Sequence, residues 1–157
     1  MKNLFSISMQ NRKSLYFILR NTPRDQLLKV PGGHRNSIWW NIAHVVVIQQ
    51  LLVYKRSGQD VLIGDEFVQK FGRGTVPDGM ATEEEIGQIA AWLFSTVEQT
   101  EKDYEKKRFT EYQEYTTSNK VTLSSVEDAL AFNIFHEGLH LGVILSLQKA
   151  LKTSDGS

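Results

Sequence analysis

The sequence predicts an all-α protein, a four-helix bundle, and three observations lead there. Apolar residues recur at helical spacing in four long segments, two of those segments open on Ser/Thr-x-x-Glu start signals, and glycine and proline gather mainly between segments. The second and third connections are long, which suits a bundle whose order is not simple up-down-up-down. No heptad pattern runs across the helices, so a coiled coil is not expected. At 157 residues the chain is expected to form one domain, residues 1–157, large enough to bury a substantial core.

The first helix is expected from about Asn3 to Arg20, with Phe5, Met9, Leu15, Tyr16 and Leu19 near helical spacing. It stops before Thr22-Pro23, because the residue ahead of proline is pushed out of helical geometry. The second starts near Ser37 after Pro31-Gly32-Gly33, carries Ile38, Trp39, Ile42, Val45 to Ile48, Leu51 and Leu52, and ends at Ser57-Gly58. Three adjacent valines favour a strand locally, but so long an apolar run favours a buried helix. Gly58 to Ala81 holds five of the eleven glycines and reads as a loop with one helical turn around Glu66 to Lys70. Thr82-Glu83-Glu84-Glu85 is a capping box opening the third helix, whose acids suit the positive end of the helix dipole. The polar stretch Lys106 to Thr122 is the next connection, and a second capping box, Ser124-Ser125-Val126-Glu127, opens a fourth helix running to about Lys152. The last residues, Thr153 to Ser157, are expected to fray.

Composition narrows the function. Lys plus Arg equals Asp plus Glu at 18 each, which gives no general electrostatic reason to hold nucleic acid or an anionic membrane. There is no cysteine, so disulfides, thiolate zinc sites and cysteine nucleophiles are excluded. Met1 to Lys13 is too polar for a signal-peptide core, and no run of eighteen apolar residues exists, which makes the cytoplasm the expected location.

Three of the four histidines lie in the most apolar parts of the chain. His136 and His140 are four apart, so they share a helix face one turn apart, beside Leu130, Asn133, Val143 and Leu147. His44 lies midway along the second helix with Ile48 and Leu51 on its face. Burying imidazoles together is costly unless each is hydrogen-bonded or all share a ligand. From spacing alone, two readings stand: separate core histidines with ordinary partners, or a divalent metal held between two helices. His34, about 15 Å from His44 along a continuous helix, is expected at the surface or in a loop.

His136-Glu137-Gly138-Leu139-His140 also matches H-E-x-x-H, the metalloprotease zinc motif. Such enzymes draw a third ligand from beyond the motif, and the segment after His140 offers only Asp155, in the tail. A di-iron bundle would need a second E-x-x-H, and none occurs. Both alternatives weaken. Glu137, roughly 100° round the helix from His136, remains a candidate general base at the site edge or a supporting carboxylate. Trp40 and Asn133, one turn before His44 and His136, are candidate pocket residues. Gly138 and Gly142 suggest close approach by another helix or a ligand, since glycine within a helix costs about 1 kcal/mol.

These residues resemble the DinB/YfiT-like superfamily of metalloenzymes, over essentially the whole chain. The resemblance rests on Trp39-Trp40-Asn41-Ile42-Ala43-His44, on the glycine-bearing loop Phe71 to Pro77, and on His136-Glu137-Gly138-Leu139-His140-Leu141-Gly142. It implies a bundle in up-down-down-up order, commonly a homodimer, in which His44, His136 and His140 bind one divalent ion, often zinc or nickel. Relatives with known reactions include thiol-dependent S-transferases and isomerases using bacillithiol, mycothiol or glutathione.

Three neutral imidazoles leave coordination positions open and the full charge of the dication in place. The first reading is therefore a transferase that presents a small-molecule thiolate to an electrophile, the thiol arriving as cosubstrate because the chain has no cysteine of its own. The second is a hydrolase in which the metal activates water and Glu137 is the general base. The third is a non-catalytic module that the metal only stiffens.

Overall fold

A computed structural model describes residues 1–154 as mostly helical, so the all-α class holds. Four long helices dominate: α1 (Lys2–Asn21), α3 (Ile38–Val53), α5 (Glu83–Glu105) and α6 (Val126–Ser154). Between them lie two short helices, α2 (Arg24–Leu28) and α4 (Asp65–Phe71), and a 3-10 turn at Lys55–Ser57. The helix α2 follows Pro23, whose fixed φ suits a helix entry, and the apolar pattern predicts no element there. The expected turn near Glu66 is α4. The sequence predicts fraying from Thr153, but α6 continues through Ser154; residues 155–157, with Asp155, lie outside the described residues.

The helix starts follow their side chains. Ser37 caps α3 by accepting from the Trp40 amide at 3.1 Å. Thr82 and Glu85 form both halves of the predicted capping box. At α6 the cap is one residue later than the sequence suggests. Ser125 accepts from the Asp128 amide at 3.1 Å, and Asp128 in turn accepts from the Ser124 amide at 2.9 Å. Glu127 is left to accept from the Tyr104 hydroxyl instead.

All of α3 except Ile48 and Leu51 is buried, which settles the strand-or-helix question for its valines: a helix apolar all round belongs at the centre. It packs chiefly against α6 and also meets α5, while α1 lies against α5 and α6. One core cluster joins Leu15 and Leu19 of α1, most of α3, Leu93 of α5 and Ile144, Leu147 and Leu151 of α6. A second gathers Phe5, Val53, Tyr54, Val97, Val126 and Leu130.

The connection expected to be irregular from Lys106 to Thr122 contains a hairpin, β1 (Tyr115–Thr116) antiparallel to β2 (Thr122–Leu123). Most of its residues are β-branched or aromatic, and its turn is closed by Lys120 amide to Thr117 carbonyl at 3.0 Å, with Lys120 at φ 61°. Although no eighteen consecutive residues are apolar, Val126–Lys152 of α6 is long and apolar enough on average to cross a membrane. The same composition marks a core helix, and α6 holds a fully buried ion pair through Glu137.

Candidate metal centre

The closely packed helices α3 and α6 bring the three inward histidines to one point. His44 comes from the middle of α3, and His136 and His140 from successive turns of α6. Each offers a ring nitrogen, and the three nitrogens lie within 4.8 Å of one another. Ring centroids are 5.3 Å apart for His44 and His136, 4.8 Å for His44 and His140, and 4.4 Å for His136 and His140.

Two of the rings are oriented by acceptors behind them. His44 Nδ1 lies 2.6 Å from the Phe71 carbonyl, so Nδ1 carries the proton and Nε2 keeps its lone pair. His140 Nδ1 lies 2.7 Å from Asn41 Oδ1, and the Asn41 amide donates to the Ser37 carbonyl at 2.8 Å, which leaves its oxygen to face the imidazole. The tautomer is fixed the same way. His136 Nδ1 is buried and finds no hydrogen-bond partner among the described residues. Burial pushes all three imidazoles below their ordinary pKa, with the Phe71 bond opposing it at His44. His140 falls to about 4, with His44 adding to the effect of burial. His136 falls to about 2, through burial first and then the charges of His140, His44 and Arg12. Neutral rings with fixed tautomers and one orphaned nitrogen fit a divalent ion, since a histidine must be unprotonated to ligate.

Trp40 stacks on His44 with ring centroids 4.3 Å apart, and its indole donates to Thr75 Oγ1 at 3.0 Å. Trp40 therefore braces the ligand from the loop Phe71 to Pro77, and the pocket wall is made by others. The same loop supplies the Phe71 carbonyl. It turns sharply at Gly72, where a Cβ would sit 2.6 Å from the Val68 carbonyl, and at Gly74, with φ 86°.

Glu137 lies next to His136 in sequence but faces another helix. It is fully buried, and one carboxylate oxygen accepts from Ser8 Oγ at 2.9 Å, Arg12 Nε at 2.8 Å and Asn133 Nδ2 at 3.0 Å. The other oxygen accepts from Asn11 at 3.2 Å. This side chain ties α6 to α1. Asn133 belongs to that tie, and neither residue is among those lining the pocket at the three histidines; of the two roles expected for Glu137, its bonds fit the supporting carboxylate rather than the general base. His34 sits in the loop before α3, 3.3 Å from the Gly32 carbonyl, as expected. Gly138 and Gly142 have nothing within 4 Å of an added Cβ, so no helix or loop of the described chain approaches them closely.

A pocket of about 320 Å³ opens on His44, His136 and His140, large enough for a small organic molecule. Ile48 and Leu51, the two exposed-side positions of α3, form one apolar wall with Leu52, Phe132 and Leu139. Arg56, Arg73 and the hairpin residues Tyr115, Thr117, Ser118 and Asn119 supply the polar part of the lining. Sequence reasoning misses these, and also Asn41 and Arg12. A polar residue one turn before His44 in an otherwise apolar helix is a usable signal for Asn41. Arg12 falls on the buried stripe Phe5-Ser8-Arg12-Leu15-Leu19, a polar residue at a core position. The rim arginines come from connecting segments and have no such periodic signal.

A comparison with curated proteins finds no match for this sequence. The profile of the DinB superfamily matches residues 9–144, a span that takes in most of α1, the loop Phe71 to Pro77 and all three histidines of the cluster. By that match the chain belongs to the DinB superfamily.

Proposed function

We propose that His44, His136 and His140 hold one divalent metal ion, zinc or nickel, and that the protein is a metal-dependent enzyme transferring a small-molecule thiol to an electrophile. The observation that carries this reading is the convergence of three neutral ring nitrogens within 4.8 Å on a pocket of small-molecule size. A dication held by three neutral ligands lowers the pKa of a thiol that joins it. The chain's own residues supply the rest: Phe71 and Asn41 fix the ligand tautomers, Trp40 braces His44, and the apolar wall gives the substrate body a surface to lie on. The thiol proton passes to water, the sulfur lone pair forms the new S–C bond, and in a substitution the leaving group departs with the electrons of the bond that breaks.

Glu137 bears on the choice between transfer and hydrolysis. A general base must reach the proton it takes. Glu137 is occupied by Arg12, Ser8, Asn11 and Asn133, and among the described residues lining the pocket there is no Asp or Glu. Thiolate chemistry needs no carboxylate base, which favours it over the hydrolase. The open pocket favours an enzyme over a purely structural metal site. With this reading go a single domain with helices in up-down-down-up order, a homodimer and a cytoplasmic location. Exposed Phe17 and Leu145, beside a groove between α1 and α6, give a dimer apolar surface.

Metal analysis and cobalt substitution test the reading together. One metal per chain and a thiol-dependent cobalt absorption band are expected. Absence of stoichiometric metal from protein refolded with zinc, nickel or cobalt would refute it.

A further inference from the structure

Two cations line the pocket at the three histidines, and no carboxylate among the described residues pairs with them. Arg12, Arg24 and Arg108 each form an ion pair with a carboxylate. Arg56 and Arg73, on the pocket rim, have no carboxylate partner among the described residues. Their contacts are with neutral groups. Arg56 donates to Gln113 Oε1 at 3.1 Å and lies over the Tyr115 ring, 4.4 Å from its centroid. Arg73 donates to the Tyr115 hydroxyl at 3.1 Å. One tyrosine thus holds both guanidinium groups, one at its face and one at its hydroxyl, from two connecting segments far apart in the chain. Each guanidinium has five N–H donors, so most remain free for a ligand.

We infer that Arg56 and Arg73 form an anion subsite, and that the molecule occupying the pocket is a small carboxylate-bearing compound. Its carboxylate meets the two arginines, its body lies on Leu51, Leu52 and Leu139, and its other end reaches the three imidazoles. A pocket lined by two arginines and by no acid favours an anion over a neutral molecule of equal size. Guanidinium is the side chain whose planar fork matches a carboxylate. This deepens the thiol-transfer reading and rests on it for one point only, that the far end of the ligand is the metal-bound thiol.

The test uses the full-length, cobalt-loaded protein and a series of ω-mercapto carboxylates of two to six carbons beside the matching mercapto alcohols. Binding is followed by the thiolate-to-cobalt absorption band. At the best chain length the acid is expected to bind about tenfold more tightly than the alcohol, which corresponds to one charge-assisted contact of about 1.4 kcal/mol. The preference should shrink as salt rises. In Arg56→Gln/Arg73→Gln it should fall to near one, while Arg56→Lys/Arg73→Lys, with the charge kept, should retain part of it. Circular dichroism identifies variants that fold. Equal affinity for acid and alcohol at every length overturns the subsite, as does a preference that survives the double glutamine variant. If no thiol produces the band, the thiol-transfer reading has failed instead. The subsite is then judged by calorimetry on metal-free protein with glutarate against glutaramide. Selective binding of glutarate that the double glutamine variant loses upholds it, and equal binding overturns it.

Discussion

Two faces of α6, one residue apart in sequence, settle their buried polar groups in opposite ways. On the face toward α1, the Glu137 carboxylate has four donors around its two oxygens and is fully buried, while Arg12 Nη1 and Asn133 Oδ1 beside it have no partner among the described residues. On the face toward α3, His136 and His140 keep lone pairs that no group among the described residues uses, and His136 Nδ1 is an orphan there. A buried polar group with its partners complete is holding the fold together. Buried groups with matched vacant lone pairs beside a pocket are suited to a ligand the chain does not supply. The contrast also divides the H-E-x-x-H segment: the Glu137 carboxylate is hydrogen-bonded to α1, and the two histidines line the pocket.

The sharpest way to break this comparison is to cut the closed side. Removing one partner of a buried ion pair leaves a charge without compensation, at a cost of about 3–5 kcal/mol. Glu137→Ala in the metal-free protein is expected to lose that much in urea denaturation, with the folded fraction still taking up one metal. Arg12→Met combined with Glu137→Leu should recover most of the loss, since well-packed apolar replacements of a buried pair are often neutral. A loss below about 1 kcal/mol for the single variant would return Glu137 to the site.

Cutting the open side should do the reverse. His136→Ala leaves the metal-free fold nearly unchanged, but it removes the stabilisation that zinc adds, about 2.7 kcal/mol at a hundredfold excess over Kd. The measurement is urea denaturation with and without zinc, and a zinc effect that persists in His136→Ala would sink the assignment. The same titrations read pH. In the metal-free protein the folded imidazoles have lowered pKa values, about 4 for His140 and about 2 for His136. Below the ordinary histidine value the unfolded chain therefore binds protons that the folded chain refuses. Stability is expected to fall as pH drops from about 6.5 toward 4, and less steeply in the triple His→Ala variant.

Asn41→Ala sharpens the comparison within the open side. It takes away the acceptor that fixes His140 while leaving all three imidazoles, so metal affinity should drop about 10–100-fold, with a separate loss of about 1–3 kcal/mol in metal-free stability from the unpaired His140 N–H. Competition with a chromophoric chelator measures this, and an unchanged affinity would make Asn41 a core polar residue and nothing more.

Much of the open side is legible in the sequence and much of the closed side is not. His136 and His140 announce themselves by their i, i+4 spacing, and His44 by its place in an apolar helix. Glu137 is misplaced when its angle is measured only from the two histidines. Leu130, Asn133, Glu137, His140, Ile144, Leu147 and Leu151 alternate by three and four along α6, which puts Glu137 on the inward stripe itself. The matching Arg12 lies on another helix more than a hundred residues away, and no periodicity links the two. The hairpin and the rim arginines are illegible for a different reason: they sit in connections, where tertiary contacts rather than local pattern choose the conformation.

A third face of α6 carries Phe135, Gly138, Leu139, Gly142 and Leu145 as an outward stripe, which meets the histidine pocket at Phe135 and Leu139. Within one chain an added methyl at Gly138 or Gly142 meets nothing within 4 Å. Alanine also avoids the entropic cost of glycine in a helix, so Gly138→Ala and Gly142→Ala should each stabilise by about 0.5–1 kcal/mol. Thermal denaturation of the two variants, run beside size-exclusion chromatography, reads both the gain and the oligomeric state. If instead each substitution destabilises and shifts a dimer toward monomer, a second copy packs against these glycines. The stripe would then be covered by protein, as the Glu137 carboxylate is, leaving the histidine face as the one open to a ligand.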